Sequence, residues 1–224
     1  MTEQKYAIIV AGGKGTRFDP ALAKQFFELK GRPVLVHTIE KFLAYSDAIR
    51  IVVVLPAADL DRWAGLQEQY FPSMPLTVCT GGATRFESVR NGLQHVGEDG
   101  LIAVHDGVRP LVTPALIRAG FDAAVKFGCA VPAVALKESL RQISANGGTV
   151  AVDRANFRLV QTPQMFQAPI LHNAYAAARN TMATDDAAVV EEAGYAIHLF
   201  EGRYDNIKIT TPDDLVLATA LMSA

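Results

Sequence analysis

Short apolar runs alternate with amphipathic stretches along most of the chain. The runs are rich in β-branched residues, as in strands that are buried on both faces of a sheet. The amphipathic stretches have apolar residues at helical spacing, and several begin with a proline or a capping residue. The predicted strands are residues 5–11, 49–55, 76–80, 101–105, 129–136, 196–200 and 206–209, with another starting at Leu159. The predicted helices are residues 33–45, 57–70, 84–96, 114–127, 169–179 and 185–193, with a last one starting at Pro212.

This alternation predicts an α/β fold with a mostly parallel, doubly wound (Rossmann-like) sheet. Residues 137–158 depart from it, because they are polar and carry Asn146-Gly147-Gly148 between two alternating segments. That pattern is typical of a β-hairpin. We therefore predict a single domain over residues 1–224, with a projecting β-arm at 137–158 inserted in it. An isolated hairpin is marginally stable in water, so we expect the arm to pack against a second subunit in a homodimer.

The first strand ends in a glycine-rich loop, Gly12-Gly13-Lys14-Gly15-Thr16-Arg17, and Lys24 follows it. Glycines let main-chain N–H groups converge on an anion, and the basic side chains add positive charge around it. The loop is therefore predicted to bind phosphate. A P-loop is excluded because the Gly-Lys step continues with Gly15, and the dinucleotide fingerprint fails because Phe18 replaces its third glycine. What remains resembles the G-x-G-T-R…K signature of sugar-phosphate nucleotidyltransferases, with a tight turn carrying surface cations as the alternative.

Composition and charge narrow the class of protein. Half of the residues are hydrophobic, a fifth are charged, and the net charge is −2, so we expect no bulk attraction to nucleic acid or to a membrane. No apolar run approaches the roughly 20 residues of a membrane span or has the form of a signal peptide, and a cytoplasmic enzyme is expected. Cys79 and Cys129 both lie in strand-like runs, where buried free thiols are expected.

Polar residues that are candidates for ligand binding lie in four loops that follow predicted strands. Ligands of doubly wound sheets bind beyond the carboxyl ends of the strands, so these loops are predicted to form one site. The loops are residues 12–17, 80–85, 105–109 and 206–208.

Seven motifs are spread over nearly the whole chain. They are A-G-G-K-G-T-R (11–17) with Lys24-Gln25, G-G-A-T-R-F-E-S-V (81–89), V-H-D-G-V-R-P (104–110), V-D-R (152–154), T-P-Q (162–164), T-D-D (184–186) and E-G-R-Y-D-N-I-K-I-T (201–210). With these motifs the chain resembles the 2-C-methyl-D-erythritol 4-phosphate cytidylyltransferases. Ala23 stands where that family usually has proline, and Thr80 and Ala83 stand where aspartate is frequent. The family uses mainly backbone groups near 81–83 to contact cytosine, so these departures concern fine specificity more than the reaction.

The resemblance implies a nucleotidyltransferase domain that transfers CMP from CTP to 2-C-methyl-D-erythritol 4-phosphate and releases pyrophosphate. It implies Mg²⁺ as the cofactor, with Asp106 as a ligand. Arg17 and Lys24 are implied to face the CTP phosphates, and Arg154 and Lys208 to hold the incoming phosphate. Arg154 and Ser139 lie on the arm, and in the family such residues reach the neighbouring subunit's site. The implied substrate-binding residues are Ala11, Gly12, Gly13, Gly15, Gly82, Ser88, Asp106, Arg109, Ser139, Thr162 and Thr184.

Several of these residues have a plainer interpretation. Arg109 equally fits an internal ion pair, Ser88 a helix-surface serine, and Thr184 an N-cap. Lys14 equally fits a solvent-facing lysine, and His105 fits a packing residue at a strand end better than a catalyst.

Three other functions stay open at this point. A cytidylyltransferase for another polyol phosphate, such as ribitol 5-phosphate, has the same phosphate-binding requirements. An NAD(P)-dependent oxidoreductase predicts an acidic residue at the end of the second strand, which instead reads Val54-Leu55-Pro56. A non-catalytic nucleotide-binding module is disfavoured by basic residues on four separate loops.

Overall fold

The computed structural model describes residues 4–12, 23–179 and 181–223. The helices there are α1 (Val34–Tyr45), α2 (Leu60–Tyr70), α3 (Arg85–Leu93), α4 (Pro114–Phe127), α5 (Ala168–Ala177), α6 (Asp186–Glu192) and α7 (Pro212–Leu221). The strands are β1 (Lys5–Val10), β2 (Glu28–Leu29), β3 (Arg32–Pro33), β4 (Arg50–Leu55), β5 (Thr77–Thr80), β6 (Leu101–Asp106), β7 (Cys129–Ala135), β8 (Leu140–Ile143), β9 (Thr149–Val152), β10 (Arg158–Val160), β11 (Gln164–Gln167) and β12 (His198–Glu201).

The main sheet has the predicted α/β character. Its order is β5-β4-β1-β6-β11-β7, with β12 on the outer side of β7 and β10 pairing with the end of β7 beyond β11. Neighbours β5, β4, β1 and β6 are parallel, and so are β7 and β12. Strands β10 and β11 run the other way. The carboxyl ends of the parallel strands therefore share an edge with the beginning of β11.

Alternation along the strands divides the core into two layers. On β1, Ala7 and Ile9 face the helices that carry Phe42, Trp63 and Phe121, while Ile8 faces the opposite layer. The opposite layer includes apolar side chains of α3, α5 and α6. Helices thus cover both faces of the sheet, as a doubly wound fold requires.

The hairpin predicted within residues 137–158 is formed by β8 and β9, which pair only with each other in the described part of the chain. Ile143 is 74% exposed and Val150 is 57% exposed, although both belong to strands. The short 3₁₀ helix Arg154–Asn156 follows, and β10 then rejoins the main sheet. This hairpin and its base, residues 137–158, are called the arm below.

Three predictions about local structure were wrong or incomplete. Residues 206–209 do not form a strand, because the buried Asn206 side chain bonds to Thr162 O and only Ile209 N bonds across to Val108 O. Strand β11, after the cis Thr162–Pro163 bond, was not separated from the strand expected at Leu159. Cys129 is buried as predicted, but Cys79 is only partly buried at the short strand β5.

Candidate active site

A cleft of about 420 Å³ opens at the carboxyl edge of the parallel strands. It is bounded by the ends of β1 and β6, by the 3₁₀ helix Lys24–Phe26, by the start of α3, and by the irregular segment before α7. The predicted site residues that line it are Ala11, Gly12, Lys24, Gly82, Ser88, Asp106 and Lys208. These residues come from distant parts of the sequence, and the sheet topology brings them together.

Asp106 is the electrostatic centre of this cleft. Its Oδ2 atom lies 3.1 Å from Lys208 Nζ and 3.1 Å from Arg109 Nε, and its Oδ1 atom lies 3.7 Å from Arg85 Nε. Burial alone would raise the pKa of Asp106, but Lys208, Arg85 and Arg109 outweigh it and hold that pKa below its usual range. Asp106 is therefore ionised and keeps three cations close together.

Arg85 is a cleft residue that the sequence analysis did not single out. Its Nη2 atom lies 2.6 Å from Asp186 Oδ2, and the hydroxyl of Tyr175 donates to Asp186 Oδ1 at 2.7 Å. Gln164 accepts from Asp186 N at 3.0 Å through its Oε1 atom, so the first turn of α6 is held from β11. The Arg85 guanidinium is thus fixed between two carboxylates. The only sequence signal was its place in the G-G-A-T-R-F-E-S-V motif.

The opposite wall of the cleft consists of main-chain groups at the start of α3. Thr84 and Glu87 form a capping box, and Glu87 Oε2 also accepts from Ala83 N at 2.6 Å. Ser88 is buried, accepts from Gly82 N at 3.1 Å and donates to Thr84 O at 2.9 Å, so it is not the helix-surface serine of the plainer interpretation. A Cβ atom on Gly82 would stand 2.2 Å from Glu87 Cβ, which requires glycine there.

Lys24 and its neighbour Gln25 form the floor of the cleft. Gln25 is fully buried and donates to Asp59 Oδ2 at 3.1 Å. This bond anchors the 3₁₀ helix that carries Lys24 to the segment before α2. Gln25 was noted in the sequence only as the residue after Lys24.

A second, smaller cleft of about 160 Å³ adjoins the first and shares Arg85, Asp106 and Lys208 with it. Three more predicted site residues line it, namely Arg109, Thr162 and Thr184. Arg109 makes the internal ion pair described above and also donates to Asn206 O at 2.9 Å. Thr184 is exposed and is not the N-cap of α6, because Asp185 fills that role by accepting from Ala188 N.

Thr162 and His105 meet behind this second cleft. The two side chains are buried, with Thr162 Oγ1 3.0 Å from His105 Nδ1. The His105 ring also packs edge-on against Phe42, with centroids 5.2 Å apart. Burial lowers the pKa of His105 to about 3, so the imidazole is neutral.

The two predicted site residues of the arm lie outside both clefts. Ser139 is exposed, and the guanidinium of Arg154 donates to the carbonyl of Lys137 within the arm. Gly13, Lys14, Gly15 and Arg17 lie outside the described residues.

Two absences concern the described residues, 4–12, 23–179 and 181–223. No three His, Cys, Asp or Glu side chains are grouped there as a metal site. None of the helices in these ranges combines the length and apolar character needed to cross a bilayer.

Basic side chains from separate loops meet at the carboxyl edge of a doubly wound sheet, an arrangement that suits an enzyme acting on phosphorylated substrates. The sequence profile of the 2-C-methyl-D-erythritol 4-phosphate cytidylyltransferase family matches residues 6–224. The chain therefore belongs to that family.

Individual relatives agree with the family assignment. A protein of that name from Bacteroides thetaiotaomicron is 46% identical over 215 residues, which is 96% of this chain and 98% of the relative. One from Porphyromonas gingivalis is 45% identical over 225 residues and covers both chains completely. The crystal structure of the 2-C-methyl-D-erythritol 4-phosphate cytidylyltransferase from Thermus thermophilus superposes with a TM-score of 0.80 at 33% identity, covering 100% of each chain.

Proposed function

We infer that the protein transfers CMP from CTP to 2-C-methyl-D-erythritol 4-phosphate and releases pyrophosphate, as a step of the non-mevalonate isoprenoid pathway. The observation that carries this inference is the joint placement of Lys24 and Lys208 with Asp106 in one cleft of a chain from this family. The bond formed joins the acceptor's phosphate oxygen to the α-phosphorus of CTP, and the bond broken joins that phosphorus to the pyrophosphate oxygen. Both substrates are phosphorylated metabolites, and we place the reaction in the cytoplasm.

The reaction requires the protein to supply positive charge and to align the two phosphorylated substrates. A phosphate monoester has a second pKa of about 6 and is already largely dianionic at neutral pH, so its oxygen attacks without a general base. The barrier then lies in bringing two polyanions together in line and in stabilising the charge that develops on the phosphates. A cleft with several fixed cations and a neutral, buried His105 suits that task.

The proposed roles divide between the two clefts. Lys24, together with Arg17 seven residues before it in the sequence, binds the CTP phosphates and stabilises the charge on the leaving pyrophosphate. Ser88 and the main chain at Gly82 form the wall that receives the cytosine ring. Lys208 binds the incoming phosphate, and Thr162 and Thr184 lie along the adjoining cleft that would receive the rest of the acceptor.

Magnesium fits this site as an ion that binds together with the nucleotide. Mg²⁺ is commonly held by one or two carboxylates together with substrate phosphates, and Asp106 supplies one ionised carboxylate, whose Oδ1 atom lies 3.7 Å from Arg85 Nε. We propose that Asp106 holds the ion, which when bound neutralises charge on the triphosphate.

We further propose that the protein is a homodimer through the arm, with Arg154 and Ser139 completing the partner's acceptor site. Both residues lie outside the clefts of their own chain. The base of the arm borders a groove of about 670 Å³. Leu199 and Tyr204 line this groove and are 46% and 50% exposed, and Leu159, just after the arm, is 54% exposed. A second subunit that covers these apolar side chains would stabilise an otherwise unsupported hairpin.

A pyrophosphate-release assay tests the proposed activity. Purified protein is incubated with CTP, Mg²⁺ and either 2-C-methyl-D-erythritol 4-phosphate or ribitol 5-phosphate, with NAD(P)H absorbance as a control for oxidoreductase activity. Release with the first acceptor and little with the second is expected. Release only with ribitol 5-phosphate, or with neither acceptor, would contradict the proposal.

A further inference from the structure

The buried imidazole of His105 joins both ends of the turn that carries Asp106 and Arg109. Strand alternation turns His105 toward the core layer of Phe42, whereas Asp106 turns toward the cleft. Within the turn, Arg109 N bonds to Asp106 O at 3.1 Å. His105 Nε2 lies 3.2 Å from Arg109 O, and Asp106 N donates to Thr162 Oγ1 at 3.1 Å.

The partners of His105 fix its tautomer and the direction of each hydrogen bond. Arg109 O is a carbonyl and only accepts, so the ring hydrogen lies on Nε2. Nδ1 is then a bare acceptor, and the hydroxyl of Thr162 donates to it. The same hydroxyl accepts from Asp106 N. One directed chain therefore runs from the Asp106 amide through Thr162 to the imidazole, and on to the Arg109 carbonyl.

This chain of bonds links segments that are distant in sequence. Arg109 donates through its guanidinium to Asn206 O, at the beginning of the segment that carries Lys208. Asn206 Nδ2 donates to Thr162 O at 2.9 Å. Hydrogen bonds thus tie the main chain on both sides of the Asp106 carboxylate to the imidazole or to its two partners. They do the same for the irregular segment before α7, which carries Lys208.

We propose that His105 is a positioning residue for the transfer reaction, and that it acts through Thr162 to set the place of the Asp106 carboxylate and its ring of cations. It touches no substrate, because it is fully buried behind the second cleft. A displacement of about 1 Å at a reacting centre lowers turnover about 100-fold, so a loosened Asp106 turn reduces kcat more than binding. This inference rests on the proposed cytidylyl transfer.

Three substitutions distinguish the effects of the two hydrogen bonds that the imidazole makes. His105→Asn keeps an acceptor near Nδ1 for Thr162, His105→Gln keeps a donor near Nε2 for Arg109, and His105→Leu keeps neither. We expect His105→Leu and His105→Gln to lower kcat about 10- to 100-fold and His105→Asn to retain most of it, because Thr162 is the link to the Asp106 amide. The KM for CTP is expected to stay within about twofold, because the wall formed by Gly82 and Ser88 makes no bond to His105.

A double-substitution cycle with Thr162→Val tests whether the two side chains act as one unit. If they do, His105→Leu, Thr162→Val and the double variant lose similar factors in kcat. If Thr162 acts only by contacting substrate, the two losses multiply, which would overturn the proposal. Thr162→Ser keeps the hydroxyl, so its kcat is expected to be higher than that of Thr162→Val.

A matched core variant excludes a purely structural effect. Ile39→Ala removes a buried side chain from the same core layer without touching this chain of bonds, so it is expected to lower thermal stability and leave kcat unchanged. Gly107, inside the turn, is held separately by Val10 O and Thr38 Oγ1, so the His105 variants are expected to fold. The Asn and Gln variants carry the test should the Leu variant not fold. A folded His105→Gln protein with kcat within twofold of the unsubstituted protein overturns the inference, whereas an inactive unsubstituted protein contradicts the proposed function instead.

Discussion

At the scale of single residues, the site is organised by one carboxylate rather than by a nucleophile or a base. Asp106 holds Lys208, Arg85 and Arg109 within 3.7 Å of its oxygens. Without it, these cations would repel one another and turn toward solvent. The cleft is therefore preorganised to receive anions.

Lys24 is the residue whose loss should affect turnover most directly. We expect Lys24→Ala to lower kcat by about 10²–10³-fold, because a fixed cation aimed at developing phosphate charge is lost, and Arg17→Ala to act in the same direction. Steady-state kinetics with CTP measures this. Lys126→Ala, an exposed lysine near the end of α4, is the matched control and should be neutral. A folded Lys24→Ala protein with normal kcat would refute the role of Lys24.

His105 should leave a signature in the pH dependence of stability. Its pKa is lowered to about 3 in the folded protein by burial, against about 6.5 in the unfolded chain. The unfolded chain therefore takes up a proton first as the pH falls, so the stability that the neutral imidazole contributes is complete above pH 6.5. It is lost between pH 6.5 and 3, with a limiting slope of about 1.4 kcal/mol per pH unit.

Urea unfolding of the unsubstituted protein and of His105→Gln across this range measures that contribution. The free energy of unfolding of the variant should fall less steeply with decreasing pH, because glutamine does not titrate. Asp106, Arg109 and Lys208 face His105 electrostatically and are retained in both proteins, so their contributions largely cancel in the comparison. Parallel curves for the two proteins would mean that His105 is not held neutral by the fold.

Individual residues were predictable from the sequence only where a motif carried them. Motifs put Lys24, Asp106 and Lys208 among the predicted site residues, and these three residues line one cleft. Arg85 was missed because its partner Asp186 is 101 positions away, and no local pattern announces an ion pair across that distance. The burial of Ser88 could not be predicted from its helix either, because Gly81 and Gly82, which cover it, belong to the preceding loop.

At the scale of secondary structure, the beginning of α3 is expected to link stability to nucleotide binding. Its capping box uses Thr84 and Glu87, and Glu87 also holds the Ala83 amide in the cleft wall. Thr84→Ala should cost about 1 kcal/mol of stability and also raise the KM for CTP, because the wall loosens with the cap.

Thr113→Ala is the matched control for this prediction. Thr113 caps α4 by accepting from Leu116 N, and it lines neither cleft. Thermal unfolding and CTP titration of the two variants should show similar losses of stability with a raised KM only for Thr84→Ala. If both variants have the same KM for CTP, the α3 cap does not contribute to nucleotide binding.

The alternation of strands and helices was predictable because most elements follow a clear hydrophobic period. The exceptions are short or irregular. Strand β11 has only four residues, and its antiparallel insertion between β6 and β7 depends on contacts that no local window contains. Residues 206–209 have an alternating pattern, but Asn206 N bonds to Arg203 O and Ile209 N bonds to Val108 O, and neither acceptor belongs to a strand.

At the scale of the whole molecule, the proposed homodimer predicts that two chains contribute residues to each active site. If Arg154 serves the partner's site, mixed dimers of Arg154→Ala with Lys24→Ala contain one site that has both intact residues. Co-refolding the two inactive variants in equal amounts should restore about a quarter of the normal activity, because half of the dimers are mixed and each has one working site.

Sedimentation velocity supplies the control for this experiment. The unsubstituted protein and both variants should sediment as dimers at the assay concentration. A monomer would contradict the role of the arm in association. A dimer without restored activity would show instead that Arg154 acts within its own chain.

The way the arm joins the sheet allows its length to vary among related proteins. Ala135, at the end of β7, pairs with Arg158, at the beginning of β10, so the excursion leaves and returns at one point of the sheet. Chain added between these residues closes no new loop through the core, and doubling such a loop costs only about 0.6 kcal/mol. Descendants of a common ancestor are therefore free to vary the segment's length and tip. If the arm forms the proposed dimer interface, exchanging it between two homologues should change which chain each one pairs with and leave the clefts of the main domain as they are.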